Sequence, residues 1–378
     1  MKQIVGSNRR EFIKAGTLGA ALAAAGPTAW AATSGETTTA LDILVLGGTG
    51  FIGPHTVREA LRRGHSVTLF NRGRTNSTLF PDLETIKGDR DDGLDGLRGR
   101  QWDVVIDNSG YVPRHVRDSA ELLADNVAHY LFVSTVSVYA DFTTDSDEHS
   151  PLATIADETV EQVTAETYGA LKALCEKAVR QAVGDERTTV LRPTYICGPG
   201  DHTDRFTWWP VRTSRGGEML WPGQPADAIQ IIDVRDLANF TVDCAEGKIA
   251  GTYITATREH SYNMGALLDD CQAVTATDVD EIWVDEEFAL AAMRNAPVQN
   301  RGAFPVWHPQ RGPDAMAAQF IAGAAREAGL RNRPVRETIR DLIDWWRTLP
   351  DDRTATLQAG LPAEYEAELI ARWKEEHA

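Results

Sequence analysis

The chain has 378 residues, a formal net charge of −17 and 42% hydrophobic residues. That length and apolar content exclude a disordered chain and predict either one large domain or two, with a full core. The acidic balance argues against nucleic acid as a partner, and the lack of an uninterrupted apolar run of about 18 residues excludes a protein with several membrane spans.

The first forty residues are typical of a targeting segment. Residues 9–14 read R-R-E-F-I-K, residues 15–25 are rich in alanine and glycine, and A-W-A at residues 29–31 is a cleavage candidate. This order resembles a twin-arginine export signal over residues 1–31, followed by a polar linker over residues 32–40. It predicts passage through the twin-arginine machinery to the periplasm or beyond. An ordinary secretory signal and an uncleaved anchor are the alternatives.

A strand, a glycine loop and a helix follow the linker. Leu41 to Leu46 is a short apolar run typical of a buried strand, and Pro54 to Gly64 has helical character, with a proline suited to the first turn. Between them, glycines would let the backbone approach a pyrophosphate, and the helix N-terminus would offer free N–H groups. The predicted dinucleotide-binding residues of this loop are Gly47, Gly50, Phe51, Ile52 and Gly53.

The end of the second predicted strand, Ser66 to Phe70, bears on the choice of dinucleotide. An acidic residue there would hold the ribose hydroxyls of NAD. The sequence instead continues N-R-G-R, without a carboxylate, and Arg72 or Arg74 could pair with a 2′-phosphate. The sequence therefore favours NADP, with NAD possible; solvated loop arginines are the alternative interpretation.

The alternation of strands and helices continues through the first two thirds of the chain. Further strands are predicted at residues 84–87, 103–107 and 129–134. Parallel strands alternating with helices predict an α/β fold with a doubly wound, Rossmann-type sheet. We assign residues 41–257 to this cofactor-binding domain, with a substrate-loop excursion at about 200–228. Residues 258–378 have mostly helical patterns and are assigned to a smaller C-terminal substrate-binding or lid region.

Tyr168 and Lys172 lie four residues apart in a predicted helix, Ala165 to Ala182, which places them on one helix face. A tyrosine has a pKa of about 10, so using it as a base near pH 7 costs roughly 4 kcal/mol. A nearby lysine ammonium favours the phenolate, and a hydroxyl partner can orient a substrate alcohol or carbonyl. Residues 133–139 supply three hydroxyl candidates, which are Ser134, Thr135 and Ser137.

Several motifs occur in a fixed order along the chain. They are G-G-T-G-F-I-G at 47–53, S-T-V-S-V-Y at 134–139, Y-x-x-x-K at 168–172, L-R-P at 191–193, G-P-G-D at 198–201 and I-D-V-R-D-L-A at 232–238. With them the chain resembles the extended short-chain dehydrogenases/reductases of the NAD-dependent epimerase/dehydratase family, over about residues 41–257. The resemblance implies an NAD(P)-dependent oxidoreductase or epimerase.

The resemblance also implies roles for individual positions. Tyr168 would be the acid/base, Lys172 would lower its pKa and bind the ribose, and Thr135 would be the catalytic hydroxyl, with the two neighbouring serines as runners-up. Pro193 would pack near the nicotinamide, and Asp89 would lie near the adenine. No spacing of Asp, Glu or His suggests a metal, and the four cysteines contain no C-x-x-C pair.

Three departures from the family pattern narrow the expected reaction. Val136 and Ser137 stand where sugar-nucleotide dehydratases have Asp-Glu, which argues against elimination. Ile229 stands where many nucleotide-sugar epimerases have an arginine for the diphosphate, which puts a nucleotide-sugar substrate in doubt. Ser119 stands in a region that lacks the family's asparagine, so the proton relay is expected to be incomplete or built differently.

The substrate is expected to meet the segment after the predicted nicotinamide-contacting strand. His202, Arg205 and Trp208 are candidates for contacting a polar substrate, together with Ser137, and aromatic faces suit sugar rings. Packing in a lid is the alternative for Trp208. For His308, lining the pocket and capping a loop are both open, and the loop cap is favoured.

These expectations combine into one functional prediction. The protein is predicted to act on a sugar-like or other hydroxyl or carbonyl small molecule, with a homodimer left open. Because an exported enzyme has no obvious NADP(H) pool, we expect the cofactor to be tightly bound and regenerated in the site. A non-catalytic cofactor- or ligand-binding member of the same fold is the alternative.

Overall fold

The computed structural model describes residues 39–297, 302–312 and 315–378. The predicted signal segment, residues 1–31, lies outside the described residues. Ala40–Ala378 forms one compact unit. Within the described ranges, no helix is long and apolar enough to cross a membrane, and no group of three or more His, Cys, Asp or Glu side chains could hold a metal ion.

Strands and helices alternate along the described chain. The strands are β1 (Asp42–Leu46), β2 (Ser66–Asn71), β3 (Thr85–Lys87), β4 (Trp102–Asp107), β5 (Val127–Val133), β6 (Thr188–Pro193), β7 (Tyr195–Cys197), β8 (Gly217–Pro222), β9 (Ile231–Asp233), β10 (Gly251–Thr255) and β11 (Val279–Val284). The helices are α1 (Ile52–Arg62), α2 (Pro113–Leu123), α3 (Tyr168–Val183), α4 (Trp208–Thr213), α5 (Val234–Gly247), α6 (Met264–Thr275), α7 (Glu286–Asn295), α8 (Gly323–Glu327), α9 (Val335–Trp346), α10 (Asp351–Thr354) and α11 (Ala363–Glu376).

The central sheet has seven parallel strands in the order β3-β2-β1-β4-β5-β6-β10. Leu44 in β1 lies opposite Thr68 in β2 and Val105 in β4. The strand order reverses direction between β1 and β4, and such a switch point opens a crevice at the carboxyl ends of the strands. The doubly wound Rossmann-type sheet predicted from the sequence is confirmed.

Successive residues of the central strands face two different cores, because side chains alternate across a sheet. Ile43 and Val45 enter the core that includes residues of α1 and α5, whereas Leu44 and Leu46 enter the core that includes residues of α2 and α3. All four side chains have no exposed surface. Burial on both faces explains why β1 is continuously apolar from Ile43 to Leu46 rather than alternating.

The C-terminal part is mostly helical, as predicted, but it also contributes β11. This strand pairs in parallel with β8, and Ile282 lies opposite Leu220. The two strands share a separate hydrophobic core with Trp209, Trp221 and Trp307. That core connects the excursion after β7 with the C-terminal helices. Residues of the excursion and of the segment between α7 and α8 line the crevice.

Candidate active site

A cleft of about 850 Å³ opens at the carboxyl ends of the central strands. The glycine loop, the ends of β4, β5 and β6, the start of α3 and parts of the C-terminal region line it. It brings together all but one of the site residues predicted from the sequence. Those that line it are Gly47, Gly50, Phe51, Ile52, Gly53, Arg72, Arg74, Asp89, Ser134, Thr135, Ser137, Tyr168, Lys172, Pro193, His202 and Arg205.

The glycine loop is shaped to receive a close ligand. Gly47 has a φ of +92°, and a Cβ at Gly53 would lie only 2.5 Å from the carbonyl oxygen of Gly47, so side chains are excluded at both positions. A Cβ at Gly50 would meet no atom of the described chain within 4 Å. Helix α1 begins at Ile52 without a side-chain cap. Its first N–H groups are therefore available to an anion, which fits the diphosphate of a dinucleotide.

The turn after β2 carries the two arginines expected to face a 2′-phosphate. Arg72 and Arg74 are exposed and line the cleft, and neither has a carboxylate within ion-pair distance in the described part of the chain. Asn71 accepts a hydrogen bond from the Gly73 N–H at 2.8 Å, which fixes the turn. Asp89 lines the same end of the cleft.

Lys172 is held at the bottom of the cleft, where it is 3% exposed. Its Nζ donates to the carbonyl oxygens of Gly110 at 2.7 Å and Val133 at 2.8 Å. The ammonium also lies 4.2 Å from the ring centroid of Phe132. Burial lowers the pKa of Lys172 to about 8. Since an ammonium has three N–H groups, one remains for a ligand.

Tyr168 is the first residue of α3, so this helix begins three residues later than predicted. The N–H groups of Thr164 and Thr167 each donate to the other residue's hydroxyl, at 2.9 and 3.3 Å, and this turn leads into the helix. A Cβ at Gly169 would overlap the carbonyl oxygen of Ser137. Gly169 therefore lets the start of α3 approach the turn that carries the predicted catalytic hydroxyls, a role that we did not predict.

Thr135 precedes a short 3₁₀ turn, Val136–Val138, and caps it by accepting a hydrogen bond from the Ser137 N–H at 3.1 Å. Its hydroxyl donates to the Ser137 hydroxyl at 3.2 Å. Burial raises the pKa of Tyr168 to about 12, while a hydrogen bond to Thr135 and the charge of Arg205 act to lower it. Without ligands, the phenol is therefore neutral at pH 7 and faces the predicted catalytic hydroxyl.

Two further hydroxyls on the cleft wall have no partner among the described residues. Ser134 and Thr194 line the cleft, and their buried side-chain oxygens make no hydrogen bond. Buried polar groups normally have partners, so these two hydroxyls point to a polar ligand in this part of the cleft. They lie beside Thr135 and Pro193 in the sequence, at the ends of β5 and β6.

Ser119 is not among the residues that line the cleft. Its hydroxyl accepts a hydrogen bond from Arg90 at 2.5 Å and donates to the carbonyl oxygen of His115 at 2.9 Å. Arg90 also pairs with the fully buried Asp107 at 2.6 Å. Ser119 therefore belongs to a buried ion-pair cluster, and the amine of Lys172 reaches the backbone of Gly110 instead.

The opposite half of the cleft carries polar and aromatic side chains from β7 and the C-terminal region. The Arg205 guanidinium lies 5.0 Å from the ring centroid of Tyr195, whose hydroxyl is 3.0 Å from Nε2 of His308. Burial lowers the pKa of His308 to about 4, so its ring is neutral at pH 7. The favoured assignment of His308 to a loop cap was wrong, because this residue lines the cleft.

Trp208, a predicted substrate contact, does not line the cleft. It is 1% exposed, and its ring centroid lies 4.7 Å from that of Trp209. A Cβ at Gly360 would overlap the indole ring of Trp208. The tryptophan therefore packs in the core against the C-terminal region, as in the lid-packing alternative, because its position at the start of α4 turns it away from the crevice.

Comparisons with known proteins bear on the family and the fold. A family model, the NAD dependent epimerase/dehydratase family, matches residues 43–254. The chloroplast stem-loop binding protein of 41 kDa b from Arabidopsis thaliana is 28% identical over 212 residues, which are 52% of this chain and 53% of that protein. A 2-alkyl-3-oxoalkanoate reductase from Stenotrophomonas maltophilia is 31% identical over 182 residues, which are 43% of this chain and 52% of that protein. The chain thus spans about half the length of these curated relatives.

Solved structures share the architecture over most of the chain. The Bordetella bronchiseptica enzyme WbmG, in complex with NAD and UDP, has a TM-score of 0.59 at 15% identity. The match covers 86% of this chain and 100% of that one. At such low identity the likeness shows the fold alone.

Proposed function

Since the chain belongs to the NAD-dependent epimerase/dehydratase family, we propose that it is an NADP-dependent oxidoreductase or epimerase acting on a sugar-like or other hydroxyl or carbonyl small molecule. One observation carries the proposal. Thr135, Tyr168 and Lys172 lie on one cleft together with a glycine loop whose helix N-terminus is uncapped. Anion binding and proton transfer are thereby available within a single site.

Residues at one half of the cleft would hold the dinucleotide. The loop around Gly50 and the first turn of α1 would bind the diphosphate, and the remaining N–H of Lys172 would bind a ribose hydroxyl. Arg72 or Arg74 would pair with a 2′-phosphate, which is why we propose NADP, with NAD as the alternative. When bound, the nicotinamide supplies hydride transfer.

Tyr168 would move the proton that accompanies this chemistry. In the oxidative direction, its phenolate oxygen takes the proton from the substrate hydroxyl; in the reductive direction, its phenol returns a proton to the carbonyl oxygen. Thr135, whose hydroxyl proton is donated to the Ser137 hydroxyl in this structure, would turn that proton to the same substrate oxygen and orient it. Burial raises the pKa of Tyr168 to about 12 although the charge of Arg205 already acts to lower it. The ammonium of Lys172 would therefore have to lower this pKa further for the phenolate to form near neutral pH.

A non-catalytic binding protein of the same fold is the competing function. The stem-loop binding relative makes RNA the natural ligand to consider for such a protein. The net charge of −17 disfavours a nucleic-acid polyanion. An intact Tyr168–Lys172 pair beside Thr135 favours the enzyme instead.

The test replaces one hydroxyl. The Tyr168→Phe variant and wild type are compared for turnover of a panel of aldoses, ketoses and 3-oxoacids with NADPH, and for NADPH affinity by fluorescence. We expect turnover to fall by about 10² to 10⁴-fold, the usual contribution of an acid/base group, with unchanged NADPH affinity. The control is Tyr365→Phe, since Tyr365 lies near the start of α11 and donates only to the Ala292 carbonyl oxygen. Equal turnover by Tyr168→Phe and wild type would refute the proposed role.

Export of the folded holoprotein is part of the same proposal. The R-R-E-F-I-K order at residues 9–14 supports the twin-arginine route, which carries folded proteins, so a tightly bound cofactor would travel with the chain. Replacing Arg9 and Arg10 by lysine keeps the charge. We expect that variant to stay in the cytoplasm, as measured by cell fractionation, and export of the variant at wild-type level would contradict this route.

A further inference from the structure

The charged side chains that line the cleft are mostly positive, whereas the net charge of the whole protein is negative. Although the chain carries −17, Asp89 is the one carboxylate residue among the described residues that line the cleft, and it lies at the cofactor half. Arg72, Arg74 and Lys172 are assigned to the cofactor. Arg90 also lines the cleft but pairs with the buried Asp107. Among the described residues, Arg205 is the one arginine or lysine that lines the other half. A cationic wall in an acidic protein concentrates anions at the site.

Hydrogen bonds orient the Arg205 guanidinium towards a ligand. The buried Asp201 accepts from both the N–H and the hydroxyl of Thr203, at 2.8 and 2.6 Å. Because the hydroxyl proton is thus committed, the oxygen of Thr203 is left to accept from Nε of Arg205, at 3.2 Å. In the described structure the two Nη groups of Arg205 have no hydrogen-bond or ion-pair partner. They form a planar fork with a free edge, which suits an oxyanion.

The loop that carries Arg205 is also held in place through the neighbouring residue, Asp204. Asp204 has no exposed surface and accepts from both Nη groups of Arg353, at 3.0 and 2.5 Å. The N–H of Gln358 donates to the same carboxylate at 2.8 Å. The ring of Tyr195 packs against the Arg205 guanidinium, with its centroid 5.0 Å away. These contacts hold Arg205 before any ligand binds, and preorganisation of this kind reduces the cost of binding.

We propose that Arg205 binds the single oxyanion of the substrate, so that the substrate is a hydroxy or keto compound with one carboxylate or one phosphate monoester, such as a sugar acid. The proposal rests on the proposed function and names its substrate class. The charge count supports one anionic group, since the His308 ring is neutral and Ile229 is apolar. Among the described residues, no second arginine or lysine lines this half of the cleft to meet the two charges of a nucleotide diphosphate.

Binding of matched acid and neutral sugars tests the proposal. Wild type saturated with NADP is titrated calorimetrically with glucuronate, galacturonate and gluconate, with glucose, galactose and glucitol as neutral partners, and with glucose 6-phosphate. We expect at least one anionic compound to bind about tenfold or more tightly than its neutral partner, the size of a charge-assisted hydrogen-bond pair. The carboxylate and phosphate arms identify which oxyanion the fork prefers.

Variants assign that preference to Arg205. Arg205→Gln is expected to remove it, and Arg205→Lys, which keeps the charge but not the fork, to restore only part. Arg215→Gln is the control, because Arg215 is exposed and outside the cleft. Equal binding of every acid and its neutral partner by wild type, or an unchanged preference in Arg205→Gln, would overturn the proposal. Failure of the proposed function is seen separately, as unimpaired turnover in Tyr168→Phe.

Discussion

Replacing two glycines of the same loop by alanine is predicted to affect different properties. The change at Gly53 should lower stability, and the change at Gly50 should weaken coenzyme binding. A Cβ at Gly53 would lie 2.5 Å from the Gly47 carbonyl oxygen and 2.6 Å from the Gly48 carbonyl carbon. These are backbone atoms, so α1 must move by about half an ångström, and overpacking of this kind costs about 1–3 kcal/mol of unfolding free energy. A Cβ at Gly50 meets no described atom within 4 Å, so Gly50→Ala should leave stability unchanged.

Coenzyme binding should separate the two variants further. The methyl group of Gly50→Ala would occupy the space proposed for the diphosphate and displace at least one charge-assisted hydrogen bond, which corresponds to roughly tenfold to hundredfold weaker binding. NADPH fluorescence titration and thermal unfolding measure both quantities. Gly323→Ala is the control, since a Cβ there also meets open space but lies outside the cleft. Wild-type NADPH affinity in a folded Gly50→Ala variant would refute the assignment of the loop.

Two stability predictions concern buried charges. Burial lowers the pKa of His129 to about 4, and its Nε2–H donates to the Thr189 hydroxyl, whose own proton goes to the Ile249 carbonyl oxygen. Because the unfolded chain takes up this proton near pH 6.5, stability should be complete above that pH and fall by up to about 3 kcal/mol as the pH drops towards 4. Urea unfolding of His129→Gln should show a shallower pH dependence, and an unchanged slope would contradict the burial argument. Arg353→Ala leaves the carboxylate of Asp204 buried without its partner and should lower the free energy of unfolding by about 3–5 kcal/mol. An additional Asp204→Asn change should recover part of this loss. An Arg353→Ala variant as stable as wild type would contradict the prediction.

The local parts of the fold could be predicted closely. β1 and β2 lie within one residue of their predicted ends, because a buried parallel strand is a short apolar run bounded by a glycine turn. β11 was missed. It pairs in parallel with β8, more than fifty residues earlier, and its exposed residues give it no continuous apolar pattern. Pairing between such distant segments has no local signature.

The site residues show the same difference between features set by local sequence and features set by distant contacts. Tyr168 and Lys172 were predictable from spacing on one helix. Gly169 was not, since its role depends on the Ser137 carbonyl of another element. Trp208 was predicted to contact the substrate because it is an aromatic residue in the predicted substrate loop. It is instead buried against Gly360, about 150 residues later in the chain, and the local sequence does not show this contact. Tertiary packing, rather than residue type, determined which aromatic side chains face the cleft.

Native mass spectrometry of the folded chain with added NADP and NAD tests the central claim most directly. That claim is that the cleft between the glycine loop and Lys172 binds a nicotinamide dinucleotide. The structure predicts one dinucleotide per chain, with NADP preferred and binding weakened in Gly50→Ala. A folded wild-type protein that binds neither coenzyme would contradict the account.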